Sequence, residues 1–182
     1  MLLYVVLGLV VLVGLWAVTT YNGLVRGKNL VAEGWSGIDA QLKRRADLIP
    51  NLVETVKGYA THERTTLDEL TRLRAGQSQD PAVRAKEENA ITAAIGRIMA
   101  VAEAYPDLKA SANFQSLQND LSGIEDQIQL ARRYYNGTVR DFNVKIEQFP
   151  SNLVANFGGF RIAPFFQIED AADRQTPKVS FG

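Results

Sequence analysis

The segment from Lys43 to Arg64 gathers the residues whose types are best suited to chemistry. It holds the only histidine of the chain, His62, next to Glu63, and two further carboxylates at Asp47 and Glu54. Acid–base catalysis or metal binding would need several of these groups to converge on one point. Adjacent residues of a helix point about 100° apart, and these carboxylates do not share a helical face. The sequence therefore predicts no catalytic residue and no metal site, and His62 is interpreted as a solvated side chain.

Sequence motifs and composition exclude further classes of function. The chain contains no G-x-S-x-G elbow, no P-loop and no G-x-G-x-x-G dinucleotide fingerprint. The absence of cysteine excludes disulfides, thiolate metal ligands, cysteine nucleophiles and a lipid-modified N-terminal cysteine. The 20 basic residues balance 20 acidic ones, so no excess positive charge attracts nucleic acid. We predict a protein that is not an enzyme, carries no cofactor and has no nucleic-acid partner.

The N-terminal stretch has the composition of a membrane anchor. The run from Leu2 to Val18 is unbroken and apolar, and uncharged sequence continues to Val25. A helix of roughly 20 residues rises about 30 Å, which matches the thickness of the hydrocarbon layer of a bilayer. Aromatic side chains that favour the water interface lie near its two ends. The predicted anchor residues are Leu2, Tyr4, Trp16 and Tyr21.

The residues around this stretch indicate whether it is cleaved or retained and how it is oriented in the membrane. A cleavable signal peptide is the alternative, but no basic residue precedes the apolar run and no small-x-small cleavage site follows before Asn22. Arg26 and Lys28 follow the run closely, so the positive-inside rule predicts a single-pass protein of the inner membrane, with the N-terminus outside and the domain in the cytoplasm. Each charge contributes only about 1 kcal/mol at an anionic surface, so an extracytoplasmic domain stays the alternative.

Apolar residues at helical spacing predict one long helix from Asn29 to Arg74, kinked at Pro50. The alternative is a break before Pro50, with Asp47 as the N-cap of a second helix. The residues of the shared face are Trp35, Ile38, Leu42, Ile49, Val53, Val56, Ala60 and Leu67.

Two charged residues, Arg45 and Glu63, fall on the apolar face of this helix. They lie roughly 27 Å apart along a helix and cannot pair with each other. Each side chain either reaches solvent from the edge of the apolar face or makes a polar contact that fixes the register of helices or protomers. Arg74, at the end of the same helix, is predicted to meet Glu87 in the next one.

The rest of the chain predicts two more long helices and an irregular tail. The second helix spans Pro81 to Ala104 and is followed by a turn at 105–108. The third runs from about Leu117 to Phe149 with coiled-coil-like periodicity. Pro150 ends it, and a short helix at 151–157 leads into a glycine pair. The tail beyond is rich in phenylalanine, so it packs either along the bundle or on a second copy. The predicted tail contacts are Phe160, Phe165, Phe166 and Phe181.

Three segments resemble the bacterial LemA family: RRADLIPNLVETVKGYATHE, ARRYYNGTVRDFNVKIEQFPSNLVANFGGF and a closing PKVSF. The resemblance extends over nearly all of residues 21–181. It implies an N-terminally anchored, elongated helical domain, and it carries over no established catalytic residue. Members are mostly described as membrane proteins; one branch is associated with magnetosome membranes, and others are linked with envelope-stress proteases. Family tails often run acidic and aromatic, whereas this one reads Phe-Gln-Ile-Glu at 166–169.

Together these patterns predict an all-α protein. It consists of a transmembrane anchor at 1–25, an elongated antiparallel bundle of three long helices within 26–157 with a short C-terminal helix, and an extended aromatic tail at 158–182. The predicted function is that of a non-enzymatic, membrane-anchored protein that binds the lipid bilayer, forms homo-oligomers and acts as a scaffold or organiser of the inner membrane. The alternative is an adaptor or regulator of a membrane protease or transporter in envelope stress, which implies a membrane-protein partner.

Overall fold

A computed structural model describes residues 1–60, 63–74 and 78–167, and this part of the chain is helical without any strand. The all-α prediction is confirmed. The helices, in chain order, are α1 (Leu2–Lys57), α2 (Arg64–Leu73), α3 (Pro81–Glu103), α4 (Pro106–Ala110), α5 (Ala112–Glu147) and α6 (Ser151–Phe157).

Helix α1 differs from the prediction at both of its ends. It starts within the apolar N-terminal run and continues without a break to Lys57, passing through Pro50. The predicted continuation to Arg74 is wrong, because α1 ends before Gly58 and α2 is a separate helix. Glycine is about 1 kcal/mol less favourable than alanine inside a helix. Ala60, in the connection, is fully buried, so the apolar periodicity continues across a break in the helix.

The remaining helices follow the prediction more closely. Asp80 caps α3, since its Oδ1 accepts hydrogen bonds from the amides of Ala82 at 2.8 Å and Val83 at 3.2 Å. The predicted turn at 105–108 instead contains the short helix α4, whose Leu108 is buried. Helix α6 lies where the short C-terminal helix is predicted, and Gly159 follows it with a φ of 69°, a conformation that favours glycine.

The chain divides into two compact units. Unit 1 consists of Met1–Ile38 with Ala131–Phe165, and unit 2 consists of Asp39–Leu130 with the chain from Phe166 onward. Long helices α1 and α5 each contribute residues to both units. The predicted division into anchor, bundle and tail stays a prediction.

Unit 2 has a core of mostly aliphatic side chains contributed by all of its helices. Burial of these side chains removes apolar surface from water and so drives folding of the unit. The buried residues of this core are Ile49, Leu52, Val56, Ala60, Leu67, Leu70, Ile91, Ala94, Ile98, Ala102, Leu108, Phe114 and Leu121.

Unit 1 has a smaller core that joins α1, α5 and α6. Its buried residues are Leu24, Phe142, Ile146 and Ala155. Helices α1 and α5 approach closely beside this core, because a Cβ atom built on Gly34 would lie 3.2 Å from the Cα of Tyr135. A glycine at this position therefore permits a helix contact that a larger residue would disturb.

Candidate functional site

The most unusual site of unit 2 is the buried guanidinium of Arg45, whose side chain is only 2% exposed. Its Nη1 atom donates hydrogen bonds to Thr92 Oγ1 at 2.9 Å and to Glu125 Oε2 at 2.8 Å. Its Nη2 atom pairs with the carboxylate of Glu88. Since these residues lie on α1, α3 and α5, one arginine side chain links three helices.

A second buried arginine completes the cluster. Arg84 Nε lies 2.9 Å from Glu88 Oε1, one helical turn along α3, and both side chains are 2% exposed. Glu88 is therefore shared between two guanidinium groups. Glu125 is more accessible, at 35% exposure, and its Oε1 accepts a hydrogen bond from Gln129 Nε2 at 3.2 Å. Two positive and two negative charges balance, which limits the free-energy cost of burying them.

We call Arg45, Arg84, Glu88, Thr92 and Glu125 the ion-pair network. Residues 84, 88 and 91 recur at helical spacing on one face of α3, so the two charges lie in line with the buried Ile91. Arg45 lies between Leu42 and Ile49 on the buried face of α1 in the same manner. These charged residues therefore lie on the same helical faces as the apolar core residues, and their side chains point into the core.

This arrangement is suited to aligning helices. Hydrogen bonds to charged groups are directional and strong when buried, so a shift of α1 or α3 would separate the buried charges of Arg45 and Glu88. Of the two alternatives for Arg45, the structure places its side chain in a buried polar contact between helices rather than in solvent. The other four members of the network were missed, although Arg84 and Glu88 are recognisable from their spacing on the apolar face of α3.

The other predicted register residues lie outside the network. Glu63 is half-buried and precedes α2 rather than lying within α1. Pro50 and Arg74 line a cavity of about 260 Å³ with Ile49. Glu87 accepts a hydrogen bond from the amide of Ser78 at 3.1 Å and lies 3.9 Å from Arg84. The structure thus gives Glu87 partners other than the predicted Arg74.

Of the residues considered for chemistry, the structure describes Asp47, Glu54 and Glu63. Asp47 and Glu54 are exposed on α1. Within 1–60, 63–74 and 78–167, no three His, Cys, Asp or Glu side chains are placed to hold a metal ion. His62 lies outside the described residues.

Part of the described tail packs on its own chain. In unit 1 the ring centroid of Phe160 lies 5.5 Å from that of Tyr21 and 6.4 Å from that of Phe142. Asn143 holds the following segment, because its side chain donates to the Ala163 carbonyl at 2.9 Å and accepts from the Ala163 amide at 2.8 Å. Phe165 is partly exposed at 40% and Phe166 is buried. Phe181 lies outside the described residues.

The predicted anchor residues lie in the apolar part of α1, whose side chains are exposed almost throughout. By length and composition, α1 can cross a membrane. The side chains of Leu2, Tyr4, Trp16 and Tyr21 all lie on its surface, and Tyr21 also contacts Phe160. Unit 1 therefore combines a candidate membrane anchor with a packed helical core.

Comparison with known sequences identifies the family of the chain. The profile of the LemA family matches residues 34–181, which include the ion-pair network and most of unit 1. The chain belongs to the LemA family. It is 32% identical over 137 residues, 74% of its length, to Protein LemA of Metamycoplasma hominis.

Two further proteins that are similar to this LemA-family chain are named as magnetosome proteins. Magnetosome protein MamQ 2 of Paramagnetospirillum magneticum is 35% identical over 87 residues, 48% of this chain. Magnetosome protein MamQ of Magnetospirillum gryphiswaldense is 30% identical over 88 residues, 47% of this chain.

The alignments span 63% of the length of the LemA relative and 31% and 32% of the two MamQ relatives. Family and structure together indicate a membrane-associated protein with an N-terminal candidate anchor.

Proposed function

We propose that this protein is a non-enzymatic, membrane-anchored helical scaffold that self-associates and organises the bacterial inner membrane. The observation that carries the proposal is the continuity of α1. A single 56-residue helix contains both the exposed apolar run and Arg45, the centre of the ion-pair network.

Retention of the anchor is supported by the contacts of residues near its end. Tyr21 packs against Phe160 and Leu24 is fully buried in the core of unit 1. A signal peptide removed around this position would have to be cut inside a helix that is packed against the domain. The bilayer is therefore the proposed partner of the apolar run.

The proposed absence of catalysis is supported by how the charges of unit 2 are used. Reactive carboxylates are usually found in clefts where a substrate reaches them. Glu88 is instead covered and bound to two arginines, and Glu125 is held by Arg45 and Gln129. Both carboxylates are therefore paired with side chains of the protein rather than presented to a substrate.

Self-association is supported by two features. The formal net charge of zero provides no long-range repulsion between copies. Ile162 and Phe165 expose apolar side chains outside the anchor, at 61% and 40%. Both features favour contact between protomers.

The mass of the full chain in mild detergent tests this proposal. Light scattering corrected for bound detergent should give a multiple of 20.1 kDa, and crosslinking in native membranes should give the same multiple. A protein mass of one chain, with crosslinking that yields only monomer, would refute self-association. Co-purification of a second membrane protein in equal amount would favour the adaptor or regulator instead.

Orientation is tested with the same chain, because it contains no cysteine. Lys43→Cys places one thiol at an exposed position of α1. We expect a membrane-impermeant maleimide to label it only after the inner membrane is permeabilised, as the cytoplasmic orientation requires. Labelling in intact spheroplasts would establish the extracytoplasmic alternative.

A further inference from the structure

Helix α6 presents an apolar face that has no partner within unit 1. Phe157 is 98% exposed and Leu153 is 58% exposed, one helical turn apart. The opposite side of α6 packs against the core of unit 1, where Ala155 is buried with Leu24. Exposing a phenylalanine side chain to water is unfavourable relative to burying it, because its apolar surface stays in contact with water. This face therefore favours an apolar surrounding.

The exposed face of α6 borders the membrane anchor. A groove of about 410 Å³ is lined by Ala17, Val18 and Tyr21 of α1 and by Leu153, Val154 and Phe157 of α6. Ala17 and Val18 belong to the apolar run that α1 uses as its candidate span. The groove is therefore continuous with a surface whose proposed partner is lipid.

The position of α6 beside the anchor is set by packing. Tyr21 meets Phe160 edge to face, and Phe160 meets Phe142 of α5. Glycine at 158 leaves room for both rings, since a Cβ there would lie 2.7 Å from Phe160 Cε2 and 3.2 Å from Tyr21 Cε2. Leu153 and Phe157 are thereby held at the level of residues 17–21.

That level matches the edge of a bilayer. Tyr21 lies about 4.5 Å beyond Val18 along the helix axis, and interfacial helices bury their apolar faces about 5–10 Å deep at the boundary between headgroups and acyl chains. Tyrosine is also a typical residue of that boundary.

We propose that the Leu153–Phe157 face of α6 inserts into the membrane beside α1 and that the groove takes up part of a phospholipid acyl chain. This gives the protein a second membrane contact that fixes how unit 1 sits on the bilayer. The inference rests on the proposed membrane anchor. The partner is the acyl chain rather than the headgroup, because every residue that lines the groove contributes an apolar or aromatic surface.

Site-directed spin labelling of the full chain tests this proposal, since there is no native cysteine to remove. Three single-cysteine variants are reconstituted in vesicles of pure phosphatidylcholine: Phe157→Cys, Asn156→Cys and Val10→Cys. Residues 156 and 157 are both exposed and adjacent on α6, so neither change removes a core contact. The Val10 variant reports on the anchor alone. Circular dichroism checks that each variant keeps the helix content of the parent.

We expect the label at residue 157 to collide more often with oxygen, which partitions into lipid, than with the water-soluble nickel reagent. The label at residue 10 should behave in the same way, and the label at residue 156 should show the reverse preference. Lipid exposure at 10 together with nickel access at 157 would overturn this inference and leave the anchor intact. Nickel access at residue 10 would refute the anchor itself.

A second copy of the chain is the competing occupant. In that case the label at 157 would be shielded from both reagents and would show spin–spin broadening that disappears on dilution with unlabelled protein. That result would overturn the lipid assignment. Oxygen access at 157 that is unchanged by this dilution supports it.

Discussion

The two units of this protein hold the same two long helices, α1 and α5, by different means. In unit 1 a glycine lets the helices approach so closely that a Cβ atom would be crowded against the backbone of α5, and aromatic rings pack nearby. In unit 2 arginine and glutamate side chains bridge the helices through the ion-pair network. Among the described residues, the buried charged side chains all belong to unit 2.

This difference follows from the chemistry of each location. Unit 1 carries the candidate anchor and the exposed apolar face of α6, so with the membrane contacts proposed above a charged core there would lie beside a low-dielectric environment. Unit 2 has carboxylates on two helices that can neutralise its arginines. Close packing of glycine tolerates little change in volume, whereas an ion-pair network tolerates little change in charge. Five sets of substitutions test how the two units are held together.

The largest effect is expected from Arg45→Met. It removes the charge that bridges three helices and leaves Glu88 and Glu125 with one partner fewer, which we expect to destabilise unit 2 by about 3–5 kcal/mol. Thermal unfolding of the full chain in detergent, followed by circular dichroism, measures the loss. Arg44→Met is the matched control, because Arg44 is exposed, and it should change stability by no more than about 0.5 kcal/mol. Equal midpoints for the two variants would show that the network does not stabilise the fold.

A combined variant tests whether the ion-pair network stabilises unit 2 more than apolar side chains of similar volume would. The four charged members of the ion-pair network are replaced together, as Arg45→Met, Arg84→Met, Glu88→Leu and Glu125→Leu. This variant leaves none of the charges of the network in the core. We expect most of the lost stability to return, because buried ion pairs are often no better than apolar residues of similar volume. A combined variant as unstable as Arg45→Met alone would contradict this interpretation.

Gly34→Leu tests the close packing of unit 1. Its Cβ would lie 3.2 Å from a backbone atom of α5, so we expect a loss of about 1–3 kcal/mol through strain. Gly37→Leu lies one turn further along α1 with no atom within 4 Å of the new Cβ, and it should instead stabilise the helix by about 0.5–1 kcal/mol. Midpoints that shift in the same direction would argue against a close approach at Gly34.

Asn143→Leu tests how the segment after α6 is held. It removes both hydrogen bonds to Ala163 and leaves two backbone groups without that partner, at an expected cost of about 1–3 kcal/mol. Hydrogen exchange of the amides at 160–165 should become about tenfold faster or more, with little change in unit 2. Asn119→Leu, an exposed asparagine on the same helix, is the control and should leave these amides unchanged.

The smallest effect is expected from Asp80→Ala, which removes the N-cap of α3. We expect a loss of about 1 kcal/mol, measured by the same unfolding experiment, because the amides of Ala82 and Val83 lose their acceptor. Asp80→Asn keeps an oxygen at that position and should be nearly neutral. A similar loss in both variants would assign the effect to charge rather than to capping.

Several elements were predictable because their causes are local. Asp80 and Pro81 mark the start of α3, α5 ends at Glu147 shortly before Pro150, and Gly158 and Gly159 follow α6 as expected. The position of Arg45 on an apolar face was also visible. Its partners were not, because helical phase says which way a side chain points and not what it meets. The break at Gly58 was missed for a related reason, since buried positions kept their phase through Ala60 and Leu67.

The sequence by itself determined that the chain is helical, that it starts with an apolar segment long enough to cross a membrane, and that it belongs among LemA proteins. These properties depend on composition, periodicity and motif, which are read along the chain. Only the tertiary structure decided that Arg45 joins Glu88 to Glu125 and that Phe157 lies beside the anchor. Both depend on contacts between residues distant in sequence, whose geometry is set by the packing of whole helices.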